Sequence, residues 1–426
     1  MRVIIVGAGI GGLTTALRLH HKGIDCEVHE QGEQVGELGV GVNTLPNAVR
    51  ELAEVGLLER LEKVGIPARE LIYTHRRGQE IMRRPCGRSA GFDYPQISIH
   101  RGRLQGVLLR AVRERLGPGA VRTGHRLTGF EQDSGGVRAH FSDRAGTASA
   151  RVHGDVLVAA DGIHSTVRSV LFPAEGPPIW NGVMMWRAAA DWPEFGTGRS
   201  VVIAGGTDAK LVVYPIAPGG RPGTRLTNWA ICLRTGRPGD PAPQRQDWSR
   251  RADTAGLGGL AARFHVPLLD HAALVRATRD CFEFPMCDRD PLPCWTRGRV
   301  TLLGDAAHPM YPMGSNGAGQ AILDATSLSD QLARHADPAE ALLAYQDERL
   351  PVTGEVVLRN REGGPENVID EVERRAPDGF SRLDDVMDPA ELEAIVSGYA
   401  RLSGASREQV NRPAAAVPED APDHRT

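Results

Sequence analysis

The chain has 426 residues, enough for two domains and a large core, and its hydrophobic content of 41% is ordinary for a globular protein. A net charge of −3 argues against nucleic acid as a partner and against stable membrane association. No apolar run approaches the roughly 18 residues of a spanning helix, and the first strand leaves no room for a signal peptide. The six cysteines contain no C-x-x-C pair, so we expect a cytoplasmic protein with reduced thiols and no metal site.

The N-terminal sequence VIIVGAGIGGLTTALRL predicts a strand, a tight turn and a helix. Residues 3–6 are apolar and rich in β-branched side chains, which is typical of a strand buried on both faces. Gly7, Gly9 and Gly12 have G-x-G-x-x-G spacing, which lets a pyrophosphate approach the backbone at a helix N-terminus. Glu30 ends the next predicted strand, where a carboxylate can accept hydrogen bonds from ribose. The stretch predicts a site for NAD or FAD rather than NADP, without choosing between the first two.

Later segments predict a nucleotide fold interrupted by a second domain. Residues 99–117 have the pattern of a helix, and β-like runs separated by Gly and Pro clusters recur over 182–234, which predicts an antiparallel sheet. Another buried strand at 299–303 leads into LLGDAAH, and a long helix is predicted over 319–335. The expected fold class is α/β, with a Rossmann-like domain, an antiparallel-sheet substrate domain of α+β type and C-terminal helices.

Three motifs together identify a family resemblance. They are the glycine turn with Glu30, DVLVAADGIHSTVR at 155–168, and RVTLLGDAAHPMYPMGSNGAGQAILDA at 299–325. In this order they resemble the flavoprotein aromatic hydroxylases, the para-hydroxybenzoate hydroxylase family of single-component FAD monooxygenases, over roughly residues 1–360. The segments YPQISIHRGRLQ, MMWR, LVVYPI and FPMCDRDPLPCW are similar to the branch of that family that hydroxylates phenazine carboxylates.

The resemblance implies a domain division and a set of FAD contacts. The implied domains are an FAD-binding domain (1–72, 98–175 and 285–350), a substrate domain (73–97 and 176–284), a C-terminal helical region (351–402) and a disordered tail (403–426). The implied cofactor-binding residues are Gly7, Gly9, Ile10, Gly11, Gly12, Glu30, Gln31, Val42, Arg101, Leu127, Asp161, Arg168, Asp305, Gly314, Ser315, Asn316, Gly317 and Ala318.

Several of these implied roles have a physical reason. Asp305 can accept hydrogen bonds from the ribityl chain, and the guanidinium of Arg101 suits phosphate. The small residues 314–318 open a helix whose N–H groups can face the flavin pyrimidine edge. Leu127 is expected near the adenine. Asp161 could equally be a helix cap or a ligand, and for Arg168 the resemblance favours a functional place over a surface charge.

The resemblance also implies the reaction. In the family, NADH or NADPH reduces FAD, O2 adds at flavin C4a, and the resulting hydroperoxide transfers one oxygen atom to an aromatic ring. We therefore expect FAD as the cofactor, transient binding of NADH or NADPH, and O2 as co-substrate. The expected substrate is a small aromatic or heteroaromatic molecule, carboxylated or phenolic, from secondary metabolism or aromatic catabolism. The protein is expected to be a monomer or a homodimer.

Substrate-side residues must come from the second sheet and from loops near the flavin. The catalytic candidates are Asn43, Arg187, Tyr214 and Pro312, with Val42, Met185, Met310 and Tyr311 nearby. Tyr214 could orient or deprotonate a phenol, or could be a buried structural tyrosine. Arg187 could pair with a substrate carboxylate or with a structural acid. His308 is expected to be a fold residue rather than a general base.

Three other interpretations remain open from the sequence. A related FAD enzyme could use the same fold for N-hydroxylation, oxidative decarboxylation, epoxidation or Baeyer–Villiger oxidation. A flavin-free NAD-dependent dehydrogenase is disfavoured by LLGDAAH and by the Asp-Gly motif at 161–162. A non-catalytic flavin-binding protein would be expected to have lost glycines that this chain retains.

Overall fold

A computed structural model describes residues 1–36, 40–143, 145–146, 149–247, 250–253 and 256–413. The strands are β1 (Arg2–Val6), β2 (Asp25–His29), β3 (Gly41–Thr44), β4 (Ile66–Pro67), β5 (Glu70–Thr74), β6 (Glu80–Pro85), β7 (Ile97–His100), β8 (Val121–Arg122), β9 (Arg126–Asp133), β10 (Gly136–Ser142), β11 (Ser149–Gly154), β12 (Val156–Ala159), β13 (Ile179–Pro193), β14 (Ser200–Ala204), β15 (Ala209–Pro218), β16 (Thr224–Arg234), β17 (Phe282–Asp288), β18 (Thr296–Arg297) and β19 (Val300–Leu302). The helices are α1 (Ile10–His21), α2 (Pro46–Glu54), α3 (Leu58–Val64), α4 (Arg101–Leu116), α5 (Thr166–Leu171), α6 (Leu257–Ala261), α7 (His271–Arg276), α8 (Gly317–Arg334), α9 (Pro338–Arg361), α10 (Asn367–Arg375), α11 (Pro389–Leu402) and α12 (Arg407–Val410).

The first sheet holds the predicted nucleotide-binding strands. Its order is β18-β19-β12-β1-β2-β8, and every neighbouring pair is parallel except β18 with β19. The apolar residues of β1 and β12 are buried because α1, α4 and α8 cover the sheet. Strands β12 and β19 are neighbours in this sheet, although residues 160–299 separate them in the chain. The predicted interruption of the nucleotide fold is therefore confirmed.

The second sheet has the order β17-β13-β16-β15-β14-β5-β6 and is antiparallel except for the β14–β5 pair. One face carries Trp229, Ile231 and Leu211, which pack with the segment containing α6 and α7. We call the opposite face the polar face. The pairing of β13, β15 and β16 places five residues on this face: Met185, Arg187, Lys210, Tyr214 and Asn228. The expected α/β class with an antiparallel second sheet is confirmed.

The predicted domain boundaries pass through two strands of this sheet. β5 begins at residue 70 and β17 ends at residue 288, so each crosses a boundary that the sequence predicted, at 72–73 and at 284–285. The division into domains therefore remains a prediction. No described helix is long and apolar enough to cross a membrane.

The ordered chain extends further than the predicted tail allows. α12 lies within 403–426 and is closed by a capping box between Ser406 and Gln409. Arg50 of α2 donates hydrogen bonds to the carbonyl oxygens of Gln409 and Val410, both at 3.1 Å. The prediction that disorder begins at 403 is therefore wrong for the residues up to 413, because these contacts fix them against the first domain. Residues 414–426 lie outside the described part of the chain.

Candidate cofactor groove and active site

The glycine turn between β1 and α1 has the geometry that the spacing predicts. A Cβ on Gly12 would lie 2.0 Å from the carbonyl oxygen of Gly7, so a side chain there would separate helix from strand. A Cβ on Gly9 would meet nothing within 4 Å, so that part of the turn borders open space. Glu30 stands beside the turn and accepts a hydrogen bond of 2.8 Å from the Ala8 amide. The turn therefore leaves the N-terminus of α1 accessible to a phosphate group.

Two acids and an arginine lie close to this turn: Asp161 adjoins Gly7, and Asp305, which follows a strand end beside Gly11, interacts electrostatically with Arg101. We call the surface formed by the glycine turn and these three residues the cofactor groove. The Arg101 side chain forms no hydrogen bond or ion pair with the described residues. Burial lowers its pKa, which Asp305 partly offsets. The Asp305 side chain is exposed on one side, but protein surrounds its carboxyl group on the others. The resulting loss of hydration raises the pKa of Asp305. Asp161 uses one carboxylate oxygen to accept the Thr166 amide at 2.8 Å, and its buried Oδ1 has no partner in the described chain.

These unsatisfied groups fit FAD. A free guanidinium suits a pyrophosphate, and accessible carboxylate oxygens suit hydroxyl groups of ribose or ribityl. Ser165 is the N-cap of α5, and Asp161 adds a hydrogen bond from the first amide of the helix, while its buried Oδ1 has no partner among the described residues, so both predicted roles remain compatible. Direct contact of these residues with FAD remains a prediction.

Arg168 has a different environment from the one its predicted cofactor role suggests. Its side chain is 2% exposed and pairs with Glu175 at 2.6 Å. Its Nη1 also donates to the carbonyl oxygens of Ala306 and Ala307, at 3.0 and 2.7 Å. The guanidinium is therefore occupied by protein groups. These contacts favour a positioning role, in which Arg168 holds the turn that presents Asp305.

The turn before α8 is fixed by partners distant in sequence. Gly314 has φ of 62°, and a Cβ there would lie 2.9 Å from both Pro365 and Tyr399. Asn316 donates to the Tyr399 hydroxyl at 3.0 Å, and that hydroxyl donates to Asn360 at 2.5 Å. We call residues 312–318 the cofactor turn. It opens an 18-residue helix, so its backbone can supply N–H donors to a bound group.

The DAAH segment is held by a buried ionic network. His308 Nε2 lies 2.6 Å from Asp324, and Arg349 donates to the same carboxylate at 2.8 Å. Although burial opposes ionisation, His308 and Arg349 lower the pKa of Asp324 overall. These contacts support the interpretation of His308 as a fold residue.

The polar face places the predicted substrate-side residues together. Arg187 is half-buried and donates to the carbonyl oxygen of Gly41, while its enclosed Nε has no partner among the described residues. Burial lowers the pKa of Arg187, and burial raises that of Tyr214 to about 12, although Arg187 opposes the latter shift. Asn228 accepts the Gly41 amide at 2.9 Å, and its buried Nδ2 has no partner in the described part of the chain. The face therefore offers unpaired donors beside a neutral phenol.

The remaining predicted residues have varied surroundings. Asn43 is buried and accepts a hydrogen bond of 2.5 Å from Ser98, which ties it into the small sheet of β3, β7 and β4. Val42 lies next to it in β3, and Pro312 is exposed at the start of the cofactor turn. Leu127 is buried in β9, whereas Gln31 is exposed beside Glu30.

Sequence reasoning missed four residues of this region: Lys210, Asn228, Glu366 and Tyr399. Asn228 had a usable signal, because a polar amide in the middle of the buried run LTNWAICL needs a partner. The others carry no local pattern, since their partners are more than 80 residues away, as with Tyr399 and Asn316.

The comparisons with known proteins agree with this geometry. A family model described as an FAD binding domain matches residues 1–360. Phenazine 1,6-dicarboxylic acid hydroxylase PhzS of Lysobacter antibioticus is 41% identical over 96% of this chain and 98% of its own. 3-amino-4-hydroxybenzoate 2-monooxygenase PtnB3 of Streptomyces platensis is 34% identical over 90% of this chain and 94% of its own. A salicylate hydroxylase substrate complex shares the fold, with a TM-score of 0.72, 24% identity and coverage of 98% and 99%.

The family match and these relatives exclude one of the interpretations left open above. An FAD-binding model spanning most of the chain excludes the flavin-free dehydrogenase, and the aligned relatives are hydroxylases and monooxygenases. The chain belongs to the FAD-dependent aromatic hydroxylases, flavoprotein monooxygenases that use NAD(P)H and O2.

Proposed function

We propose that the substrate is a fused heteroaromatic carboxylic acid of the phenazine type, held by Arg187. The observation that carries this proposal is a half-buried guanidinium whose enclosed Nε has no partner, and which has no carboxylate partner, among the described residues. Buried charges are ordinarily paired, and a carboxylate is the partner that a guanidinium binds best. The relative from Lysobacter antibioticus, named for phenazine 1,6-dicarboxylic acid, supports this substrate class.

The residues around Arg187 would orient the ring. Tyr214 remains a neutral phenol because its pKa is raised to about 12, so it can donate or accept one hydrogen bond at neutral pH. The free Nδ2 of Asn228 offers a second donor. Met185, Phe284 and Tyr311 form part of an apolar cluster below the cofactor turn, which would exclude water from the ring. Together these groups fix orientation rather than transfer protons.

FAD would lie along the groove, with its phosphates at the glycine turn and Arg101 and its ring at the cofactor turn. When bound, it supplies the two-electron chemistry with NAD(P)H and the activation of O2. Asp305 would hold the ribityl chain, and Glu30 the adenosine ribose. We further expect the enzyme to act in the cytoplasm as a monomer or homodimer, with no nucleic-acid partner.

The test is NADH and NADPH oxidation by the FAD-loaded protein with a matched panel of aromatic acids. Phenazine-1,6-dicarboxylate and phenazine-1-carboxylate should stimulate oxidation and yield an oxygenated product. Single-ring hydroxybenzoates should stimulate it less, because they fill less of the polar face. Stimulation by hydroxybenzoates alone would contradict the substrate class, while retention of the carboxyl group in the product would separate simple hydroxylation from oxidative decarboxylation.

A further inference from the structure

A buried ion pair joins the polar face to the cofactor turn. Lys210 and Glu366 are 2% and 4% exposed, and the Lys210 ammonium donates to one oxygen of the Glu366 carboxylate. The other carboxylate oxygen accepts the Gly314 amide at 3.1 Å. The ammonium also contacts the sulfur of Met313 at 3.2 Å. Both of these contacts outside the pair, with Gly314 and Met313, are therefore made to the cofactor turn.

Stability alone does not account for a charged pair at this position. Well-packed apolar residues are often as stabilising as a buried ion pair, because both charges must be desolvated. Met185, Cys232 and Met313 form an apolar cluster on one side of the pair. The Asp370 carboxylate, which accepts hydrogen bonds from Thr207, also interacts electrostatically with Lys210. Although burial opposes its charge, Glu366 keeps the pKa of Lys210 above the ordinary value. Lys210 and Glu366 therefore carry opposite charges that cancel, and the net charge of the pair is zero.

The position of Glu366 makes that neutrality important. Its carboxylate is hydrogen-bonded to the backbone of Gly314, which adopts the left-handed conformation and is closely packed by Pro365 and Tyr399. An unpaired carboxylate there would oppose the added negative charge of a reduced flavin, since Coulomb interactions are strong in a protected interior.

We infer that Lys210 neutralises Glu366 beside the cofactor turn, and that this pair sets the reduction potential of bound FAD while holding the turn in shape. The inference rests on the placement of FAD proposed above. Lys210 and Glu366 act here as positioning and electrostatic residues, because they touch the turn rather than the reacting atoms. The pair would keep the flavin easily reduced by NAD(P)H without placing a net charge next to the substrate.

The experiment measures the midpoint potential of FAD in the full-length holoenzyme, relative to wild type at the same pH. K210M should lower the potential, because it leaves the Glu366 carboxylate beside the cofactor turn without its cation. E366Q should raise it, because it leaves the buried Lys210 ammonium without its anion. Each shift should correspond to at least a tenfold change in the reduction equilibrium, which is about 30 mV for a two-electron couple.

Two further variants complete the design. K210M/E366Q carries neither charge, so it should fold and return to within about threefold of the wild-type equilibrium. K22M removes a lysine paired with Asp330 at 2.7 Å on the partly exposed surface of α1 and α8, and should leave the potential unchanged. Shifts of the same sign in both single variants, or no shift in either, would overturn the inference. If K210M does not yield folded holoenzyme, E366Q alone is the test. A raised potential in E366Q supports the inference, and an unchanged or lowered potential overturns it.

One more variant separates this inference from the cofactor placement on which it rests. D305A should weaken FAD binding at least tenfold if the groove holds FAD as proposed. Unchanged FAD affinity in D305A would contradict the placement. Weakened affinity in D305A together with unchanged potentials in the pair variants would overturn only the role of Lys210 and Glu366.

Discussion

Replacing Arg187 with methionine tests the substrate site most sharply. Arg187 already donates to the Gly41 carbonyl, and its Nε is among the donors left for a ligand. Two charge-assisted hydrogen bonds to a substrate carboxylate would contribute about 1.5 kcal/mol each, at the low end for charged partners. Their loss predicts a fall in kcat/KM of about 100-fold for phenazine-1-carboxylate. The assay is steady-state NAD(P)H oxidation with product quantified, at saturating FAD.

The matched control is Arg234→Met, on the same face of the same sheet. Arg234 already has a partner, since its Nε donates to Asp208 at 2.5 Å, so R234M should change kcat/KM less than threefold. Phenazine-1-carboxamide provides a second control, because R187M should discriminate little between acid and amide. An R187M enzyme that keeps wild-type kcat/KM on every carboxylate that stimulates the wild type would refute the assignment.

Three other variants probe the cofactor groove and the polar face. G12A should abolish FAD binding, measured by flavin fluorescence, because the added Cβ would lie 2.0 Å from the Gly7 carbonyl oxygen; normal FAD affinity would contradict the packing described. Y214F should leave the shape of the kcat profile between pH 6 and 9 unchanged, because a phenol with a pKa of about 12 does not ionise there; loss of a titration step in that range would show that Tyr214 acts as a base. R168A should lower the free energy of unfolding in urea by about 2 kcal/mol, because it leaves the buried carbonyl groups of Ala306 and Ala307 without their donor and removes one of the two arginines that pair with Glu175; a loss below about 1 kcal/mol would contradict its positioning role.

Local sequence patterns were sufficient for the nucleotide-binding part of the fold. The turn from Gly7 to Gly12 depends on residues within one short stretch, and the spacing of its glycines has a direct steric cause. The alternation in the second domain likewise predicted an antiparallel sheet, although not the parallel β14–β5 pair, which joins strands more than 100 residues apart.

Contacts made across the fold were beyond the reach of those patterns. Lys210 and Glu366 are 156 residues apart, and nothing near either one in sequence indicates the other. The family resemblance of residues 155–168 predicted that Arg168 lies beside the cofactor. Its guanidinium instead donates to the carbonyl groups of residues 306 and 307. The motif therefore could not tell a side chain that binds a ligand from one that holds neighbouring residues in place.

The most direct test of the account is the reaction of the FAD-loaded enzyme with NAD(P)H, phenazine-1,6-dicarboxylate and isotopically labelled O2, followed by mass spectrometry. The proposed function predicts a product that contains one labelled oxygen atom, formed in proportion to the NAD(P)H consumed. A product without the label, or NAD(P)H oxidation that yields only hydrogen peroxide with every phenazine carboxylate, would contradict it.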